Sequence, residues 1–148
     1  MSDSALYQQV VLDHYRHPRN RGSLDRCTHA ADGANPLCGD RLRVELAVDA
    51  ERIEALRFSG EACAIATATM SLLSELAPGR SPADVAAMAD RFARLIESGE
   101  EDSALGELNA MRELQRYPSR RKCALLPWAT LRAALCGEAN TTTEAESA

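Results

Sequence analysis

The sequence predicts a small α/β domain of the α+β type, with a small antiparallel sheet of about three strands packed against helices. Three observations carry this expectation. Residues 41–49, RLRVELAVD, alternate apolar and polar side chains, the period of a half-buried strand. Ile53 to Phe58 repeats a strand-like pattern after a short polar turn at Ala50 and Glu51, so the two runs read as an antiparallel hairpin. Elsewhere apolar residues recur at helical spacing between Pro and Gly punctuation.

Taken in order, residues 4–17 form a helix with Leu6, Val10 and Val11 on one side, stopped at Pro18. The segment from Asn20 to Asp40 holds Gly22, Gly33, Asn35, Pro36 and Gly39 with few apolar residues. It reads as loop, with one weak strand near Cys27 to Ala31. The hairpin follows and ends at Gly60. Cys63 to Ala77 is apolar and Ala-rich and stops at Pro78-Gly79, which makes it a helix with Cys63 at its start. Ser81 is an N-cap with Pro82 at the first helical position, and Val85, Met88, Ala89, Phe92, Leu95 and Ile96 keep helical spacing until Gly99. A third helical stretch, Ser103 to Arg116, carries Leu105, Leu108, Met111 and Leu114. Tyr117-Pro118 breaks it. The last helix contains Trp128, Leu131 and Leu135. Pro127 has no N–H for an i−4 carbonyl and fits only a first turn, so this helix is expected to begin at or just after Cys123. Residues 1–137 then make one domain, and 138–148, EANTTTEAESA, a disordered polar tail.

Composition limits the function. At 148 residues the chain has room for one core. With 17 basic against 22 acidic residues there is no surplus of Lys and Arg for phosphates, so no nucleic-acid partner is expected. No apolar run approaches the ~18 residues of a membrane span, and the start lacks a signal-peptide core, so the expected location is cytoplasmic, away from membranes. Five widely spaced cysteines, an odd number, favour thiol chemistry or metal binding over a disulfide framework.

Three of these cysteines stand at structural punctuation. Cys38 lies in the loop N-P-L-C-G-D, Cys63 in G-E-A-C at a helix start, and Cys123 in R-R-K-C before the last helix. Helix starts offer free N–H groups and a positive dipole end, both of which favour thiolate, the form that binds metal and attacks sulfur. Asp40, two residues after Cys38, adds a carboxylate. Three sulfurs and one oxygen complete a tetrahedral zinc site or hold an iron-sulfur cluster. On residue type alone, buried structural cysteines and a turn-forming aspartate remain the alternative.

Four segments taken together resolve that choice. L-Y-Q-Q-V-V-L-D-H-Y-R-H-P-R-N-R-G, N-P-L-C-G-D, F-S-G-E-A-C-A-I-A and Y-P-S-R-R-K-C-A-L-L-P-W-A-T-L occur in order across residues 6 to about 136. Together they resemble the NifU N-terminal/IscU/SufU family of iron-sulfur cluster assembly proteins. The resemblance implies a small α/β protein that takes sulfur from a pyridoxal-phosphate-dependent cysteine desulfurase, serves acceptor or downstream cluster-assembly proteins, and binds metal at Cys38, Asp40, Cys63 and Cys123.

Within the family the long segment between Cys63 and Cys123 is similar to the SufU branch, whose insertion would fall within residues 78–116. Lys122 stands where the scaffold branch has a histidine in an L-P-P-V-K motif that docks a chaperone, and Arg120 matches an arginine of the SufU branch. Ala62, where glycine is common, and Pro127 are smaller departures. The resemblance to SufU implies Zn2+ as cofactor, with iron or a transient 2Fe-2S cluster as the alternative. Thiol chemistry points to Cys38, on a loop that can move, as the sulfur-accepting residue, with Cys63 and Cys123 on helix ends as fixed ligands.

Three functions are therefore open: zinc-dependent sulfur transfer, an IscU-like 2Fe-2S scaffold, and an inert zinc-stabilised interaction domain. Among other residues, Cys27 with His29 reads as ordinary loop and Cys136 as packing. His14 and His17 read as helix-end or surface residues, and Tyr7, Tyr15 and Trp128 as core or partner-contact aromatics. Arg41, Arg43 and residues 120–122 are candidates for a positive rim around the site.

Overall fold

In the computed structural model, residues 3–144 are described. Helix α1 (Asp3–Arg16) leads through a turn-rich segment to three consecutive strands, β1 (His29–Asn35), β2 (Asp40–Asp49) and β3 (Arg52–Glu61). Two helices follow, α2 (Ala64–Leu76) and α3 (Pro82–Ser98). A 3-10 segment (Ser103–Arg116), a short 3-10 turn (Pro118–Arg120), helix α4 (Arg121–Leu135) and strand β4 (Asn140–Thr142) complete the chain.

The sheet order is β3-β2-β1-β4, antiparallel except where β4 runs parallel to β1. The alternation in 41–49 is realised as written: Leu42, Val44 and Leu46 are buried, and Val44 and Leu46 pair with Phe58 and Leu56 of β3. Removing side chains of this size from water contributes about 1.5–3 kcal/mol each. The β2–β3 turn is two residues long, with φ of 51° at Ala50 and 62° at Glu51, the left-handed pair that suits the twist of a hairpin.

Helix α4 lies on β1 and β2, and α2 packs against α1 and α4. A Cβ at Gly33 would overlap Thr130 Oγ1, so the glycine lets α4 ride directly on β1. Helix α3 docks through Phe92, whose ring centroid lies 5.5 Å from that of Trp128 in α4.

Four expectations are corrected. The tail from residue 138 is not wholly disordered: Asn140–Thr142 form β4, since the β-branched threonines suit a strand and cover the edge of β1. The last stretch, 145–148, lies outside the described residues. The sheet thus has four strands. Helix α4 begins at Arg121, so Pro127 sits inside it, and it brings no N–H for the Cys123 carbonyl. Finally, Ser103–Arg116 is 3-10 rather than a regular helix and kinks at Gly106 (φ 52°, ψ −129°). Asn109 is the physical reason: its amide donates to the Asp102 and Gly106 carbonyls and accepts from the Asp102 N–H, competing with the helical ladder.

Candidate metal centre

The ends of three elements meet at one end of the sheet. The β1–β2 hairpin turns through residues 36–39, opened by the pair Asn35↔Asp40. Gly39 takes a φ of 71° there, which a residue with a Cβ rarely adopts. The turn leaves Cys38 exposed, beside a Leu37 that is 71% exposed. Opposite it stand the N-cap of α2, Cys63, and the first turn of α4, which carries the buried Cys123.

Cys38 Sγ lies 3.4 Å from Cys123 Sγ. Ligand atoms of Cys38, Asp40 and Cys123 fall within 4.8 Å of one another. Asp40 is buried; its Oδ1 accepts the Cys63 N–H at 2.8 Å, which ties β2 to the start of α2, while its Oδ2 is buried with no hydrogen-bond partner. Asn35 is also buried. Its Nδ2 donates to Cys123 Sγ at 3.8 Å and its Oδ1 has no partner. Leaving such atoms unsatisfied costs about 1–3 kcal/mol each, more for a charge, so the cluster is incomplete as a purely structural unit.

The thiols couple electrostatically. A hydrogen bond from Cys123, assisted by the Ala66 and Ile65 N–H groups, holds Cys63 down at about 7 against burial and the Asp40 charge. Cys123, donating to Cys63, buried, and hydrogen-bonded to Cys38, is raised well above the ordinary thiol range. Two sulfurs and a carboxylate oxygen within 4.8 Å of one another, with the Cys63 sulfur against Cys123, fit a thiophilic cation such as zinc. Of the four candidate ligands, Cys63 stands just outside the tight trio and touches it through Cys123.

Other candidates separate from this cluster. Arg120 is exposed on the 3-10 turn, close enough to Tyr7 to act on its phenol. Lys122 Nζ is bound to Glu144 Oε1 at 2.7 Å, just beyond β4. Arg43 pairs with Glu45 and Asp32, and Arg121 donates to the Leu114 and Gln115 carbonyls. Of the positive rim expected from Arg41, Arg43 and residues 120–122, Arg43 and Lys122 are paired with acidic side chains. His14 is buried rather than exposed, sharing a 2.7 Å hydrogen bond with Ser71, because α1 lays that face on α2. Cys136 is exposed at the end of α4 instead of packed, and Cys27 is exposed ahead of β1.

Two residues of the site escaped sequence reasoning. Asn35 looks like a turn-former beside Pro36, and nothing local announces that its amide reaches Cys123. Tyr7, half-buried beside Arg120, Cys63 and Cys123, has its phenol pushed up to about 12, chiefly by burial. The N-terminal motif contains it, but only the packing of α1 brings it to the cysteines.

The model of the NifU-like N terminal domain matches residues 6–135. The chain belongs to this family. Over 128 residues, 85% of this chain and 86% of the relative, it is 35% identical to the zinc-dependent sulfurtransferase SufU of Bacillus subtilis. It is also 35% identical over 138 residues, 91% of this chain and 86% of the relative, to the iron-sulfur cluster assembly scaffold protein IscU of Streptococcus pyogenes. In fold it is similar to a protein of Fervidobacterium islandicum AW-1 assigned to the SUF system as a cluster assembly scaffold. That match has a TM-score of 0.81 and 27% identity, over 90% of this chain and 99% of the other. The cysteine cluster of this NifU-like domain lies wholly within the matched span, as do α3 and the 3-10 segment. No helix of the described residues is long and apolar enough to cross a membrane.

Proposed function

We propose that this chain takes persulfide sulfur from a pyridoxal-phosphate-dependent cysteine desulfurase onto Cys38 and passes it to an acceptor in iron-sulfur cluster assembly. The observation that carries the reading is the exposed Cys38 sulfur 3.4 Å from the buried Cys123 sulfur, with the partnerless Asp40 oxygen beside them. Cys38, Asp40, Cys63 and Cys123 would hold zinc. Bound zinc keeps thiols deprotonated at neutral pH. The similarity to Bacillus subtilis SufU supports this choice of metal and reaction.

In the transfer step the Cys38 thiolate attacks the outer sulfur of the donor's persulfide. A new S–S bond forms on Cys38, the donor's S–S bond breaks, and the donor cysteine leaves as thiolate with the electron pair, so no oxidant is needed. Exposure on a turn makes Cys38 the accessible nucleophile, whereas Cys63 and Cys123 are anchored on helix starts. Arg120, exposed three residues before Cys123, would steady the added negative charge. Lys122, next to Cys123 in sequence, is tied to Glu144 just beyond β4. The reading places the protein in the cytoplasm.

The similarity to Streptococcus pyogenes IscU supports a second reading, in which the same residues carry a 2Fe-2S cluster as cargo for transfer. An inert zinc-stabilised domain fits less well, because it has no use for an exposed cysteine in the cluster. One experiment separates the three: metal and sulfide analysis of protein purified without oxygen, then incubation with a cysteine desulfurase and cysteine, and mass spectrometry. One equivalent of zinc, no sulfide and sulfur on Cys38 is the expected result. Iron and sulfide in equal amounts would establish the scaffold, and zinc with no sulfur uptake the inert domain.

A further inference from the structure

The three sulfurs differ in what donates to them. Cys63 Sγ accepts the Ala66 N–H at 3.4 Å, and Cys123 Sγ accepts Asn35 Nδ2–H at 3.8 Å. Among the described residues no N–H reaches Cys38 Sγ, which meets the Cys123 sulfur instead. Asn35 is tightly held for this contact. It is the buried last residue of β1, paired with Asp40, and its carbonyl accepts the Cys38 N–H at 3.2 Å.

An asparagine that only closed a turn would use its side-chain oxygen on a nearby backbone N–H. Here that oxygen is buried without a partner while the nitrogen faces sulfur. The amide is kept in place at the expense of its own oxygen, which makes the N–H···S contact the reason for its orientation. With zinc bound, Cys123 would be a thiolate, and an N–H bonded to it would draw density from the sulfur and weaken it as a nucleophile, as hydrogen bonds do around other metal-bound sulfurs.

We infer that Asn35 is a positioning residue that holds and quiets the Cys123 sulfur, so that incoming sulfur is taken by Cys38. This rests on the sulfur-transfer reading. The bond changes are those already given; Asn35 decides which of two adjacent sulfurs makes the new S–S bond. Exposure alone also favours Cys38, and the two causes separate experimentally.

The test uses the full chain, loaded with cobalt(II) in place of zinc, as wild type, Asn35→Leu and Asn35→Ala. Leucine fills the amide's space without a donor, and alanine is the second variant should leucine misfold; circular dichroism verifies the fold of each. The thiolate-to-cobalt absorption band is expected to move to longer wavelength in the variants. After desulfurase and cysteine, sulfur mapped to Cys123 is expected to rise about tenfold relative to Cys38, the scale of losing one hydrogen bond to a charged group. A purely structural Asn35 would lower the melting temperature and move neither readout. A folded variant with the wild-type band, or with an unchanged ratio of sulfur on the two cysteines, overturns the inference. Wild-type protein that takes up no sulfur overturns the transfer reading and the selection built on it. The cobalt band, read without desulfurase, distinguishes that failure from a failure of Asn35 alone.

Discussion

Helix α3 satisfies its own ends, whereas the cysteine end of the sheet leaves two buried oxygens with no partner. In α3, Ser81 accepts the Asp84 N–H while the Asp84 carboxylate accepts the Ser81 N–H, Pro82 starts the helix, and Val85, Met88, Phe92, Leu95 and Ile96 all face inward. Around Cys38 the buried Asn35 and Asp40 each keep an orphaned oxygen, and three thiols crowd together. Packing and capping account for every residue of the first region just named. They do not account for Asp40, Asn35 or the exposed cysteine, and that shortfall, together with the crowded thiols, is what points to the proposed site.

The strongest test of this contrast removes Phe92, which is fully buried against Trp128. Phe92→Ala is expected to cost about 3–5 kcal/mol and lower the melting temperature by roughly 6–20 °C. Zinc affinity of the protein that remains folded should be unchanged, as measured by chelator competition; a weakened site would mean the two regions are not separate. Asp40→Asn reverses the pattern. It keeps an oxygen for the Cys63 N–H but removes a buried charge, so zinc retention should fall about 10- to 100-fold while the metal-free protein melts no lower than wild type. Lower metal-free stability would show that Asp40 is a structural group.

Ser81→Ala deletes a cap and should cost about 1 kcal/mol in denaturant unfolding with no effect on sulfur uptake. Smallest is Glu144→Ala. Lys122 and Glu144 are both substantially exposed, so losing their contact should change stability by about 0–1 kcal/mol. A larger loss would mean that β4 depends on this ion pair, which calorimetry at low and high salt would reveal as a salt-dependent difference from wild type.

The sequence reveals most where a pattern has one physical solution. The alternation in 41–49 with its echo at 53–58 leads to the β2–β3 hairpin, and Ser81-Pro82 leads to the start of α3. It reveals less where two local structures share a period or a residue serves a distant neighbour. Leu105, Leu108, Met111 and Leu114 are buried at spacings that a 3-10 segment and a regular helix serve almost equally, so the kink at Gly106 is invisible. Pro127 misleads about the start of α4, because the helix tolerates one missing hydrogen bond when its far turns are well packed. In the site, Cys38, Asp40, Cys63 and Cys123 stand out as chemical types at turns and helix starts. Asn35 does not, since its partner is 88 positions away in the chain.

The close seat of α4 on Gly33 sets a limit on how far the site can reach. It holds Cys123 of α4 against Asn35 of β1, and Asp40 is hydrogen-bonded to the start of α2. Cys38 hangs from these anchors on a tether two residues from Asp40. A fully extended chain spans at most ~3.6 Å per residue, so the Cys38 backbone stays within about 7 Å of Asp40 unless the hairpin unzips. Such a short tether cannot swing out to collect a sulfur atom. In the proposed transfer, the donor would have to bring the sulfur to this end of the sheet, on an arm of its own.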